Sequence, residues 1–255
     1  MKQILFGLII FFCFQSCKAN KEKRIHIGDF DLVGNFVSDT VPNGTIKFYD
    51  TLNKLVAIRN YTRGVLNGNS MGYYNNGNVH DSSFFIYDFK NGYDYLFDSL
   101  GYLKYKANYF FGKQIGPVYT YDRLKNVIEY SFNNFEDDIL YYYQYDTVIK
   151  KANYPDDKFL IKASTSEYIR DGQEGVKIFL YLFQPPHLKL SYKICHFNKA
   201  NNVVDSFIVP MNNFYFEKFY KLPPDSLKIG ILINKYDSLS KKEIVIMEQL
   251  KTTYP

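Results

Sequence analysis

A chain of 255 residues, 46% of them hydrophobic, is long enough to bury a sizeable core without disulfides or metals. Aromatics reach 19%, all Tyr and Phe with no Trp, which favours strands over helices. The net charge is only +5, with Lys and Arg alternating with acids; this excludes the concentrated basic stripe that nucleic-acid binding needs, and no nucleic-acid partner is expected.

The N-terminus reads as an export signal. Lys2 supplies a positive start, residues 4–14 are an apolar run of 11, and Gln15-Ser16-Cys17 leads into a polar stretch from Lys18 to Arg24. The run is shorter than the about 20 apolar residues of a membrane helix and has the length of a signal-peptide core. Ser16-Cys17 resembles the lipobox of bacterial lipoproteins, with Phe14 where Leu is usual. The resemblance implies a signal peptide at 1–16, lipidation of Cys17 and a tether at 17–24. The protein would then be held in the cell envelope, at the outer membrane of a Gram-negative bacterium. The other reading is an ordinary signal peptide cut after Ala19. Cys13 would leave with the signal and Cys17 would become a thioether, so Cys195 stays as a lone packing residue.

From Gly44 the sequence repeats every 24 residues. Gly44, Gly68, Gly92 and Gly116 lead the copies, and Leu140 takes the next place. An aromatic follows five residues on (Tyr49, Tyr73, Phe97, Tyr121, Tyr145), and next to it stand Asp50, Tyr74, Asp98, Asp122 and Asp146. Two positions before each aromatic come Lys47, Met71, Tyr95, Tyr119 and Tyr143. Such a period marks stacked supersecondary units. Alternation on either side of turns such as Asn75-Asn76-Gly77 makes each unit a β-hairpin. Residues 25–43 are expected to form an irregular first edge, and the fifth copy to keep only its first strand. The aromatic ladder packs each copy against the next.

Gly68…Tyr73-Tyr74-Asn75-Asn76-Gly77, Gly92…Phe97-Asp98…Gly101 and the weaker Gly116…Tyr121-Asp122 resemble the bacterial branch of the MORN-repeat family over residues 44–146. Relatives of that kind are interaction or scaffold modules, some described as antitoxin-like. The resemblance implies no catalytic residues.

Residues 151–157 read as a linker, and past them the period is lost. Seven strand-like runs follow, at 158–164, 176–183, 187–197, 202–209, 214–222, 226–234 and 243–249. Their spacing predicts a seven-stranded antiparallel β-sandwich, immunoglobulin-like in class, spanning 151–255 after a repeat domain at 25–150. In 176–183 both faces are apolar, Val176, Ile178, Leu180 and Leu182 against Phe179, Tyr181 and Phe183, so this strand is expected to meet the repeat sheet.

No constellation carries chemistry. His26, His80, His187 and His196 are scattered without zinc spacing, and there is no nucleophile elbow or phosphate loop. Glu136-Asp137-Asp138 lacks the alternating oxygen ligands of a calcium loop, and Asp171-Gly172 reads as a hairpin turn. No catalytic, cofactor or metal residue is assigned. The expectation is a non-enzymatic lipoprotein acting as a protein-interaction or scaffold module. The alternative is a glycan-binding surface lipoprotein using Tyr and Phe platforms.

Overall fold

The computed structural model describes residues 22–136, 138–146, 151–153, 163–170, 173–198, 200–221, 228–238 and 240–250. Cys17, with the rest of the expected signal and most of the tether, lies outside them, as do Asp171 and Gly172. All regular structure among the described residues is strand, paired antiparallel throughout.

The first fourteen strands form one sheet. They are β1 (Lys23–Ile27), β2 (Phe30–Phe36), β3 (Pro42–Tyr49), β4 (Leu55–Thr62), β5 (Val65–Tyr73), β6 (Val79–Ile86), β7 (Phe89–Lys90), β8 (Gly92–Phe97), β9 (Leu103–Phe110), β10 (Lys113–Gln114), β11 (Gly116–Tyr121), β12 (Val127–Asn133), β13 (Ile139–Asp146) and β14 (Lys151–Asn153). Each long strand pairs with the next in the chain, while β7 and β10 only extend the hairpins of β6 and β9. This is the stack of hairpins that the period predicts, with two differences. The first edge is a regular hairpin, because Gly28 and Asp29 close a two-residue turn between β1 and β2. At the far end, the sheet adds β14, where a linker was expected, by pairing Gln144 with Asn153.

Directly opposed residues of antiparallel strands share a face. One row crosses the sheet as Val33, Lys47, Ile58, Met71, Ser82, Tyr95, Lys106, Tyr119, Tyr130 and Tyr143. It contains every member of the Lys47–Met71–Tyr95–Tyr119–Tyr143 series, so the period places one side chain per repeat on a single face. The opposite face carries Ile46, Ser70, Ser83, Asp94, Ala107 and Val118, all buried and mostly small.

The remaining strands are β15 (Ala163–Arg170), β16 (Gln173–Tyr181), β17 (Leu188–Phe197), β18 (Val203–Ile208), β19 (Tyr215–Lys221), β20 (Lys228–Asp237) and β21 (Lys242–Leu250). They form a three-stranded sheet, β15-β16-β19, and a four-stranded one, β18-β17-β20-β21. Phe207 of β18 stacks on Phe216 of β19 at 5.7 Å, joining the two sheets. Seven strands were expected, and seven are found among the described residues; the first of these lies at 163–170, and most of the run expected at 158–164 falls outside the described residues. Arg170 pairs with Gln173 at the end of the ladder between β15 and β16.

The repeat sheet and the second unit share one core. Tyr130 and Phe132 of β12 and Tyr141 and Tyr143 of β13 are buried on the aromatic face. They cluster with Ile178, Leu180, Leu182, Phe183, Tyr192, Ile194, Ile229, Ile231 and Ile233. Phe132 lies 4.6 Å from Phe183 and 5.8 Å from Tyr181, and Tyr143 lies 4.6 Å from His187. The Gln184 amide donates to the Tyr130 hydroxyl at 3.0 Å, and the Phe135 amide to that of Tyr181 at 3.2 Å. The buried Tyr130 hydroxyl thus has a partner, which an apolar surrounding demands. The second apolar side of β16 meets the repeat sheet here, through Phe179 and Tyr181 against Phe135.

Phe214 closes the contact by lying over Gly116. A Cβ on Gly116 would fall 2.7 Å from the Phe214 ring, whereas one on Gly92, a repeat earlier, would meet nothing within 4 Å. Both glycines have positive φ, 72° and 83°. Gly92→Ala is expected to cost only the left-handed backbone strain, about 1–2 kcal/mol. Gly116→Ala adds overpacking of about 1–3 kcal/mol. Equilibrium urea unfolding of the two variants checks this, with the lower midpoint expected for Gly116→Ala.

Candidate interaction surface

The aromatic face is covered by the second unit at β12 and β13 but open over β5 to β11. Tyr93, Tyr95 and Phe97 of β8 lie on it in sequence, with ring centroids 6.0 and 6.5 Å apart. Two strands on, Tyr119 and Tyr121 of β11 stack at 6.1 Å, and Tyr119 meets buried Tyr130 at 5.2 Å. Between the two groups Lys106 of β9 places its Nζ 4.4 Å from the Tyr93 ring centroid, a cation–π contact. Met71 and Phe84 continue the surface toward the N-terminal strands, and both are exposed. Burial first, then the neighbouring Tyr121 and Tyr93, push the Tyr119 hydroxyl up to about 12. Burial, then Tyr95, raises Tyr121. Both therefore stay neutral donors at physiological pH.

The rings lean on one another along each strand because successive same-face residues of a strand stand about 7 Å apart. Lys106 lies over the Tyr93 ring face.

On the opposite face, Asp94 is only 3% exposed. The Ser83 hydroxyl donates to its Oδ1, and Lys90 Nζ bonds its Oδ2 at 2.8 Å. Lys90 also lies over the Tyr109 ring at 5.2 Å, and Gln114 bonds the Tyr105 hydroxyl. Burial raises the Tyr105 hydroxyl, Tyr109 and Asp94 push it the same way, and Gln114 opposes them. The sequence singled out none of these residues. Asp94 stands where Ile46, Ser70 and Val118 stand in other repeats, and that break in the series was the available signal. With a charge partner and a hydroxyl donor, the carboxylate forms a packed, hydrogen-bonded ion pair.

Asp50, Asp98 and Asp122, acids that the repeat placed in register, are turn caps. The Asp98 amide donates to the Tyr102 carbonyl at 2.8 Å, while its Oδ1 accepts from the amides of Leu100 and Tyr102 at 2.9 and 3.0 Å. Asp50 does the same for Leu52 and Lys54, and Asp122 for Asn126. Three residues on, Asn53, Gly101 and Lys125 take the left-handed conformation that closes the turn. Asn134 caps the turn holding Glu136 and Asp138, so that acidic cluster is a hairpin tip; its Asp137 lies outside the described residues. The histidines stay apart: His26 meets Asp31, His80 meets Asp81, His196 meets Asp205 and His187 stacks on Tyr143. Among the described residues no three metal-ligating side chains come together.

Partial burial pushes the Asp98 carboxyl up, but the Tyr102 and Leu100 amides and then Arg123 outweigh it and hold it below the usual range. Asp122 is held down chiefly by Asn126. Their folded pKa values are depressed, so their contribution to stability is complete above the unfolded carboxylate value of about 4 and is lost as pH falls through the folded values. Asn134 shows that Asn serves the same cap without titrating. The double variant Asp98→Asn/Asp122→Asn is therefore expected to keep its fold while losing part of the Tm decline between about pH 5 and pH 3 seen in the parent.

No protein-family model, no curated protein and no solved structure matches this chain.

Proposed function

We propose that this protein is a non-enzymatic envelope lipoprotein, anchored through Cys17, whose repeat sheet binds a protein partner across its open aromatic face. The carrying observation is that one continuous face buries its aromatics under the second unit at β12 and β13 and leaves Tyr93, Tyr95, Phe97, Tyr119 and Tyr121 partly exposed beside that contact. Tyr-rich surfaces next to an already formed interface suit protein recognition, because the ring supplies apolar area and the hydroxyl a hydrogen bond. The hairpin period supports kinship with MORN-repeat scaffolds. The order β15-β16-β19 over β18-β17-β20-β21 fits an immunoglobulin-like sandwich.

Glycan binding is the second reading, favoured by the same row of aromatics. Sugar stacking needs open ring faces, and Lys106 already lies over that of Tyr93. The protein reading is therefore preferred.

The test is cross-linking of the native protein in envelope preparations, followed by the same capture with Tyr93→Ser/Tyr121→Ser. One stoichiometric protein, retained at least tenfold less by the variant (a loss of about 1.4 kcal/mol or more), is the expected result. Polysaccharide retention without a captured protein, reduced by the same two changes, would instead establish the glycan reading.

A further inference from the structure

The two long edges of the repeat sheet differ. Turns at 50–54, 74–78, 98–102 and 122–126 form one edge, tipped by Leu52, Asn76, Leu100 and Leu124 and capped mainly by aspartates. Turns at 63–64, 87–88 and 111–112 form the other, and adjacent ones are tied by amide-to-carbonyl bonds: Gly64 to Pro42, Asp88 to Leu66 and Gly112 to Lys90, all 2.8–3.0 Å. This second edge is aromatic. Tyr87 is 69% exposed, Phe89 53%, and Phe110 and Phe111 50% each. Tyr87 and Phe111 sit at equivalent places in the period, with φ of 49° and 46°, a left-handed conformation rarely taken by such bulky residues. Phe110 packs on Phe111 at 4.9 Å, and Phe89 lies over Gly112. The next tip, Phe135, is the one that docks on Phe179 and Tyr215 of the second unit.

The chain enters the sheet at this same edge. Lys23 begins β1 opposite Gly34 and forms an ion pair at 3.5 Å with Asp39, in the loop between β2 and β3. That loop leads into Pro42, whose carbonyl is bonded by the turn at Gly64. Between Cys17 and Lys23 the sequence has five residues, so their Cα atoms are six steps apart and reach at most about 22 Å when extended. A lipid on Cys17 would thus hold the aromatic edge, not the aspartate-capped one, close to the bilayer. From β1, Tyr87 lies five strand spacings along the sheet and Phe111 seven, about 24 and 34 Å. Arg63 and Lys113 stand among these tips, beside the ion-paired Lys23 and Lys90; Asp39 takes Lys23, and the Asp88 carboxylate accepts the Leu66 amide.

We infer that this edge lies on the lipid surface, with Tyr87, Phe89, Phe110 and Phe111 inserted at the headgroup level and the sheet standing up from the membrane. The inference rests on the proposed Cys17 anchor. Tyr and Phe rings favour the interfacial zone, and basic residues beside them favour anionic headgroups. The orientation leaves the open aromatic face perpendicular to the bilayer and free for its partner.

The sequence lacks Trp, so one introduced Trp is a unique reporter. Full-length acylated protein is reconstituted in vesicles of phosphatidylethanolamine and phosphatidylglycerol with brominated chains, carrying Phe111→Trp, Tyr87→Trp or Leu124→Trp. The two aromatic-edge reporters are expected to be blue-shifted and quenched roughly twofold or more, and Leu124→Trp to stay unquenched. Absence of quenching at both 111 and 87, or equal quenching at 124, would overturn the orientation. Acyl labelling of the wild type against Cys17→Ala tests the anchor separately. If the wild type takes no label the anchor is wrong, and quenching of Phe111→Trp by added vesicles still decides whether the edge binds lipid.

Discussion

A sheet of stacked hairpins buries one face with its own side chains, Ile46, Ser70, Ser83 and Ala107 among them, but has no layer of its own to cover the aromatic face, and that constraint shapes this protein. Hairpin stacking satisfies backbone hydrogen bonds along the whole array, but it buries side chains only in part. The solution at one end is to lend four aromatics, Tyr130, Phe132, Tyr141 and Tyr143, to the core of the following unit. In return that unit covers its own doubly apolar strand β16. The sheet therefore gains a closed, packed end, and its open end is left as the place where the aromatic face can do something else.

The same side-chain series serves two purposes without changing composition. Tyr95 and Tyr119 on the open stretch and Tyr143 in the core occupy equivalent places 24 residues apart. What separates them is the presence of Phe183, Phe214 and His187 above the last strands, and that is a tertiary fact. A tyrosine tolerates both settings: its hydroxyl meets the backbone where buried, as Tyr130 does with Gln184, and meets water where open. A partner of the open face would be placed beside the second unit and could touch both.

The period made the hairpins, their order and their shared face legible, because a 24-residue spacing constrains every copy at once. The aspartates were visible as a register, yet their work as turn caps was not, since a cap is defined by amides two and four residues on rather than by composition. The left-handed conformation of Tyr87 and Phe111 was hidden for a different reason: aromatic residues rarely adopt it. Asp94 was one acid among 26 until the fold placed Lys90 and Ser83 against it. Strand β15 was not legible beyond Ser164 because its polar Ser and Thr residues lack the apolar alternation that marked the others. The expectation that β16 meets the repeat sheet came from its two apolar faces, the kind of local pattern that only a neighbour can explain.

If the shared aromatic core governs the architecture, local stability along the chain should follow it. Native-state hydrogen exchange of the full chain measures this directly. Amides of β12 and β13 should exchange with the same free energy and denaturant dependence as those of β16, β17 and β20, with protection falling stepwise toward β1. Exchange of β12 and β13 in a separate, less stable unit, matching β3 and β4 rather than β16, would contradict the account.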